Sequence, residues 1–362
     1  MCRPPFVDPS PNITIIGAGL IGLCSAEALA ARGASVTVIE ARPGPCEGTS
    51  FSNSGMIHPS QAQSWEHERV TPPALDAARV TADLGVRSRE LLLQKIKRLG
   101  LPMLPPGCLK IYPDFEAAQK AQLKFNDIGV EANIVIDPVD TFGLTACQFP
   151  NDSSADSRIF GCALAADLKK RGVKFIYDAA DVDIRRADGA FNIRVAAQVI
   201  KADHLIIAAG IQSGALLERM ELRMHLKAVS GAAADFALPE AREDLPSCPV
   251  MDSVSRSALT VFDDRVRISG GWNLTDPASL LERWADIAPG LMLRLGRPLS
   301  TWTGVRPISP VGRPYISETS IANLWVNTGH GHMGWTLCAG SGELLAQMIL
   351  EARDDRRFAF SG

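Results

Sequence analysis

The chain has 362 residues, a formal net charge of −3 and 46% hydrophobic residues. That length exceeds a typical single domain and predicts two, each with apolar residues enough for a buried core. There is no basic run to hold nucleic acid and no apolar run of membrane-spanning length, and the eight cysteines show neither C-x-x-C nor metal-ligand spacing. Reduced thiols, no bound metal and a cytoplasmic location are therefore expected, with a peripheral contact at the inner face of a membrane left open. Residues 1–11 are proline-rich without an apolar core and do not read as a secretory signal.

Residues 12–40 carry the strongest pattern. Asn12-Ile13-Thr14-Ile15-Ile16 predicts a strand, Gly17-Ala18-Gly19-Leu20-Ile21-Gly22 a glycine-rich turn opening a helix, and Ser35-Val36-Thr37-Val38-Ile39 a second strand ending at Glu40. This is a βαβ unit with G-x-G-x-x-G in its turn. Gly17 permits the tight turn, Gly19 lets a pyrophosphate approach the backbone, and Gly22 lets helix and strand pack closely. The helix start offers unpaired N–H groups to phosphate. Glu40 stands where a carboxylate accepts ribose hydroxyls, and it would repel a 2′-phosphate. An ordinary glycine-rich turn of an α/β fold is the plainer alternative.

Ala41-Arg42-Pro43-Gly44-Pro45 reads as a turn, and the small polar run from Gly48 to Ile57 as a loop wrapped on a polar ligand. Apolar spacing predicts helices over 75–99, 114–126 and 160–171. Strands are expected at 109–111, 173–177, 182–186 and 191–195, with Asp188-Gly189 as a hairpin turn. The apolar stretch 201–208 ends in Ala209 and Gly210, small residues that leave room for a ligand at a strand's end. Strands at 223–235, 248–253, 257–262 and 265–271 suggest an antiparallel sheet, followed by a helix over 280–295. Then come Trp302-Thr303-Gly304-Val305-Arg306-Pro307, a strand at 324–327, and Thr328-Gly329-His330-Gly331-His332-Met333-Gly334-Trp335-Thr336. A last helix over 337–352, with Ala339, Gly340 and Gly342 in its first turn, would make a second anion- or carbonyl-accepting helix start.

The βαβ unit, Thr49-Ser50-Phe51-Ser52-Asn53-Ser54-Gly55, and the stretch from Trp302 to Gly342 resemble the D-amino-acid dehydrogenases of the D-amino-acid-oxidase-like flavoproteins. The resemblance spans most of the chain. It implies an α/β, two-domain flavoprotein: a Rossmann-like FAD-binding domain from 1–60, 155–215 and 300–362, and an α+β substrate domain with an antiparallel sheet from 61–154 and 216–299. FAD is the implied cofactor, without a covalent link even though Cys338 lies near the flavin-facing turn. Glu40, with Ala41 and Arg42 beside it, would hold the ribose. Gly17, Ala18, Gly19, Leu20, Ile21, Gly22, Thr49 and Ser50 would hold the pyrophosphate, and the Val182 backbone would meet adenine. Asn53, Ser54, Gly55, Met56, Ile57, Ala209, Gly210, Gly304 and Gly329 to Thr336 would border the flavin.

The resemblance further implies that Arg306 binds the substrate carboxylate, as a planar guanidinium does bidentately. The implied reaction is oxidation of a free D-amino or imino acid by hydride transfer from Cα to flavin N5, giving an imine and then a 2-oxo acid. The electron acceptor would be a quinone, another carrier or oxygen. His58, His332 and Trp272 are candidate pocket residues, while His67, His204 and His225 read as structural or exposed. The chain departs from the resemblance in a short segment after His58, in His332, and in Trp272 after Gly270-Gly271. These departures suggest small or cyclic substrates such as D-alanine or D-proline. An oxygen-using oxidase of the glycine, sarcosine or D-proline type and a non-catalytic FAD-binding subunit are the alternatives.

Overall fold

The computed structural model describes residues 10–63 and 71–360. Six strands lie side by side in the order Tyr315–Glu318, Leu324–Thr328, His204–Ile207, Asn12–Ile16, Ser35–Ile39 and Lys174–Ile176. All neighbours are parallel except the first pair, which is antiparallel. Asn12–Ile16 is covered on both faces: Ile13 and Ile15 enter one core cluster and Ile16 another. That two-sided burial extends to Thr14, a polar residue left only 1% exposed inside the strand.

Helix Leu20–Ala30 is almost wholly buried, because helices pack on its outer side as well as the sheet on its inner side. The last helix, Gly334–Leu350, crosses it so closely that a Cβ on Gly342 would lie 2.6 Å from the Cys24 backbone. The structure thus corrects the expected helix start. Gly334, Trp335 and Thr336 form its first turn, and Ala339, Gly340 and Gly342 lie inside it as packing surface.

Helix Pro72–Arg98 is capped by Thr71, whose hydroxyl accepts from the Ala74 N–H, and it starts on two prolines that need no N–H partner there. Its Leu84, Leu92 and Ile96 join the core of the six-stranded sheet, and its Lys95 and Arg98 pair with the buried Glu27 of helix Leu20–Ala30. This helix, expected with the segments 61–154, packs on the core of the six-stranded sheet and against the last helix.

A second sheet has eight strands in the order Ser300–Ile308, Lys227–Ala237, Arg265–Gly270, Ser257–Val261, Val250–Asp252, Cys108–Ile111, Thr145–Phe149 and Asn133–Ile136. It is antiparallel apart from the pair Val250–Asp252 and Cys108–Ile111. Ser300–Ile308, expected with segment 300–362, pairs with Lys227–Ala237 along its whole length, so the eight-stranded sheet extends past residue 300. The expected helix over 280–295 breaks into Ala278–Ile287 and Pro289–Leu295, since Pro289 has no N–H to continue the first ladder. A third sheet, Val182–Ala187, Ala190–Val195 and Gln198–Ala202, turns at Asp188-Gly189 with both residues at positive φ, as a tight hairpin requires.

Candidate active site

A cavity of about 1220 Å³ is lined by residues of both large sheets. It exceeds the roughly 300–1,000 Å³ of an ordinary small-molecule pocket, which leaves space for a dinucleotide and a substrate together. At one end lies the glycine turn. The Gly17 N–H donates to the Ile39 carbonyl at 2.8 Å, its φ is +114°, and a Cβ there would sit 2.4 Å from the Ala208 carbonyl oxygen. A Cβ on Gly22 would lie 1.9 Å from the Gly17 oxygen, so the helix can start this close to the turn only with glycine there. Helix Leu20–Ala30 has no side-chain cap at Gly19, although Ser50 Oγ accepts from the Leu20 N–H at 3.2 Å. Glu40 accepts from the Ala18 N–H at 2.7 Å and from the Arg42 N–H at 3.0 Å, which fixes its carboxylate and leaves lone pairs for ribose hydroxyls. Leu20, Ile21, Glu40, Ala41, Arg42 and Val182 line the cavity, while Ala18 and Gly22 stand buried behind the turn.

The middle is built from distant segments tied across the cavity. Thr49 donates to the Val305 carbonyl at 2.6 Å, next to Arg306. Asn53 Oδ1 accepts from the Gly55 N–H, while Arg267 and Thr260 of the second sheet donate to the Asn53 and Ser54 carbonyls. Thr49, Ser50, Asn53, Ser54 and Met56 line the cavity. Gly55 and Ile57 stand behind, the former accepting from the Trp335 indole at 3.0 Å. Ala209, Gly210 and Gly304 complete this wall.

From the last turn, His330, Gly331, His332, Gly334 and Trp335 reach the cavity, whereas Gly329, Met333 and Thr336 stand buried behind it. Thr336 accepts from the His58 N–H at 3.0 Å. His330 Nε2, His58 Nδ1 and Asn327 Oδ1 are buried without a partner among the described residues, and all three residues line the cavity. Such orphans cost free energy unless a bound group pairs with them. The uncapped helix start and the ring of unpaired polar atoms fit an FAD, phosphates at the first and flavin at the second. Cys338 is buried among helix neighbours and is absent from the lining, so it offers no attachment there.

The far end holds Arg306, on the strand that pairs with Lys227–Ala237. Its guanidinium lies over Gly231, where a Cβ would come within 2.4 Å of it, and Nη1 donates to the Gly271 carbonyl at 3.0 Å. Burial lowers its pKa to about 10, so it stays cationic at neutral pH. The His58 and His332 rings lie 6.2 Å apart and nearly parallel, and His332 Nε2 meets the Gln61 carbonyl at 2.8 Å. Desolvation lowers His58 to about 4 and His332 to about 3, and burial lowers His330 to about 3, so all three imidazoles are neutral.

Trp272 corrects an expectation. It is absent from the cavity lining, with Lys227 Nζ 5.3 Å and the Arg256 guanidinium 5.2 Å from its ring. Trp272 therefore lends no support to the expected preference for small substrates, which also rested on the short segment after His58. His204 accepts from the Trp325 indole at 3.3 Å, His225 is exposed, and His67 lies outside the described residues. Sequence reasoning missed Gln61, Lys110 and Gly231. Lys110 left a signal, being the one charge in the apolar strand Cys108–Ile111; Gly231 left none. No metal-binding cluster and no helix able to cross a membrane occurs among the described residues.

Residues 12–348 match the model of the FAD dependent oxidoreductase family. The chain is 28% identical to a D-amino acid dehydrogenase of Vibrio atlanticus (strain LGP32), over 95% of this chain and 97% of that one. Two solved structures share its fold. Glycine oxidase from Geobacillus kaustophilus superimposes with a TM-score of 0.81 at 21% identity, covering 97% of this chain and 99% of the other. Iminodiacetate oxidase from Chelativorans sp. BNC1 gives 0.79 at 22%, covering 96% and 98%. With a family match across nearly the whole chain and a cavity suited to the cofactor, this protein belongs to the FAD-dependent oxidoreductases.

Proposed function

We propose that the chain oxidises a free D-amino or imino acid to an imine, which water converts to a 2-oxo acid. The observation that carries this reading is Arg306, a cation set into the wall of the same cavity as the dinucleotide turn, with its place cleared by Gly231. A guanidinium whose Nη1 donates to the Gly271 carbonyl is held in one plane, and a planar fork in the cavity wall suits a carboxylate. The Vibrio relative's activity supports the amino-acid class and the D configuration.

FAD, when bound, accepts the hydride from substrate Cα. The protein's part is orientation and electrostatics. Arg306 would hold the α-carboxylate, so that Cα–H presents one face. As the hydride leaves, the nitrogen lone pair forms the C=N bond and the nitrogen sheds its proton. A substrate bound as the free amine needs no strong base, and the neutral imidazoles of His58 and His332 are weak ones. Desolvation and the nearby guanidinium disfavour a bound ammonium, which favours the reactive neutral amine. This reading divides the chain into a nucleotide unit, 10–61, 72–98, 155–215 and 309–360, and a substrate unit, 99–154 and 216–308.

An anaerobic screen of the yellow holoenzyme against D- and L-amino acids, imino acids and N-methylglycine tests the proposal. Bleaching of the flavin by D-substrates is the expected result; a flavin that no amino or imino acid bleaches overturns it. Reoxidation by air or by a quinone-like dye then identifies the electron acceptor.

A further inference from the structure

Strand Cys108–Ile111 lies inside the eight-stranded sheet, with Met251 and Cys147 directly beside Lys110. Leu109 and Ile111 are buried, and of this strand Lys110 lines the cavity, whose wall also carries Asp252 and Arg256. Its Nζ donates to Gln61 Oε1 at 3.0 Å. The orientation of that amide follows from a chain of donors. Ser60 Oγ donates to the buried Asp152 at 2.5 Å and therefore accepts from Gln61 Nε2 at 3.0 Å, which turns the amide oxygen to Lys110.

Among the described residues, no carboxylate is close enough to Lys110 to form an ion pair. Asp252 is the carboxylate that acts on it, and both Asp252 oxygens are already held by Arg283, with Ser255 on one of them. Cys147 offers no negative charge, since burial pushes its thiol up to about 11. A desolvated ammonium that no described carboxylate pairs with, held by Gln61 and 5.8 Å from the Phe125 ring, is costly, and an anionic ligand removes that cost. Arg306 and Lys110 both depress His332, so the two cations act on the same imidazole, and that ring, neutral, adds no charge of its own.

We propose that Lys110, held by Gln61, is a second anion subsite, which takes the side-chain carboxylate of an acidic amino acid while Arg306 takes the α-carboxylate. The subsite deepens the proposed function and rests on its placement of the α-carboxylate. The substrate class is then a dicarboxylic amino acid of the aspartate or glutamate kind, rather than the small or cyclic one that Trp272 and the short segment after His58 suggested.

Binding of amine-free carboxylates to the holoenzyme, read by flavin absorbance and calorimetry, tests the subsite without turnover. Glutarate or succinate should bind about tenfold or more tighter than butyrate. Lys110→Met should bring that ratio to about one, and Lys110→Arg should keep most of it. Gln61→Glu, which supplies an internal counter-ion without touching the strand, should also reduce it. Flavin content and circular dichroism establish that each variant folds. Equal binding of butyrate and glutarate by the wild type overturns the subsite, as does a Lys110→Met loss equal for both. The two proposals fail separately: if D-alanine bleaches the flavin while the ratio is one, only the subsite is lost. If the ratio holds while no amino acid bleaches the flavin, only the oxidation is lost.

Discussion

The two ends of the cavity are built in opposite ways. The dinucleotide end comes mostly from one continuous stretch, in which the turn, the helix start and Glu40 contact one another within residues 12–42. The end proposed for substrate is gathered from separate segments: His58 and Gln61 after the loop, Lys110 in an inner strand, Gly231 and Arg306 on paired strands, and His332 in the last turn. The first end is specified by local geometry, where a misplaced atom disrupts the backbone. The second depends on side chains held at a distance, where a substitution changes chemistry and leaves the fold intact.

The contrast is broken most forcefully at Gly22. Replacing it by Val puts side-chain carbon on the Gly17 carbonyl, with no flexible neighbour to move aside. Loss of bound flavin and destabilisation by more than about 4 kcal/mol are expected, read from flavin content and thermal melting. A variant that retains FAD and melts like wild type would show that the turn tolerates what the local geometry forbids.

At the other end, Arg306→Lys keeps charge and loses the planar fork. Catalytic efficiency on amino acids should fall by roughly two to three orders of magnitude, with flavin content near normal. Steady-state kinetics beside a flavin absorbance ratio separates the effects. Equal loss of FAD and of activity would place Arg306 at the dinucleotide instead.

Glu40→Gln sharpens the comparison on the nucleotide side. Its amide oxygen can replace only one of the two acceptors that now meet the Ala18 and Arg42 N–H groups, and the charge opposite the ribose is gone. FAD affinity should drop by about tenfold, measured by flavin release on dilution, with kcat of the loaded enzyme little changed. Retention equal to wild type would remove Glu40 from the ribose contact.

The smallest effect is expected at Asp152, behind the substrate end. Burial raises its carboxyl to about 7 against the opposing hydrogen bonds from Ser60. The folded state therefore binds a proton that the unfolded chain releases, so this group's contribution to stability falls as pH rises from about 4 to 7 and stays low above that. Asp152→Asn should raise Tm by roughly 2–4 °C at pH 8 and by less at pH 5.5. A lower Tm at pH 8 would show that the ionised carboxylate is needed where it stands.

The nucleotide end was legible because its signals are short-range. Glycines at fixed offsets, two short strands rich in β-branched residues and a carboxylate eighteen residues past Gly22 can be read in one pass. Helices announced by apolar spacing were found too, with ends displaced where a proline at 289 or an early start at Gly334 intervened. Strand Ser300–Ile308 was not foreseen, since its glycine, its proline and its polar residues lack alternation. Its regularity comes from the Lys227–Ala237 ladder, not from its own composition.

By itself, then, the sequence determined the dinucleotide turn, its acid, the family resemblance and Arg306 as a residue of interest. Tertiary structure alone decided that Gly231 makes room for Arg306, that Trp272 stands outside the cavity wall, and that Gln61 turns its oxygen to Lys110. The physical reason is range. Backbone sterics and helix-end electrostatics act between residues a few positions apart, so they leave a pattern in the chain. Desolvation, hydrogen-bond direction and the want of a counter-ion are set by neighbours dozens to hundreds of residues away, and they exist only once the sheets have assembled.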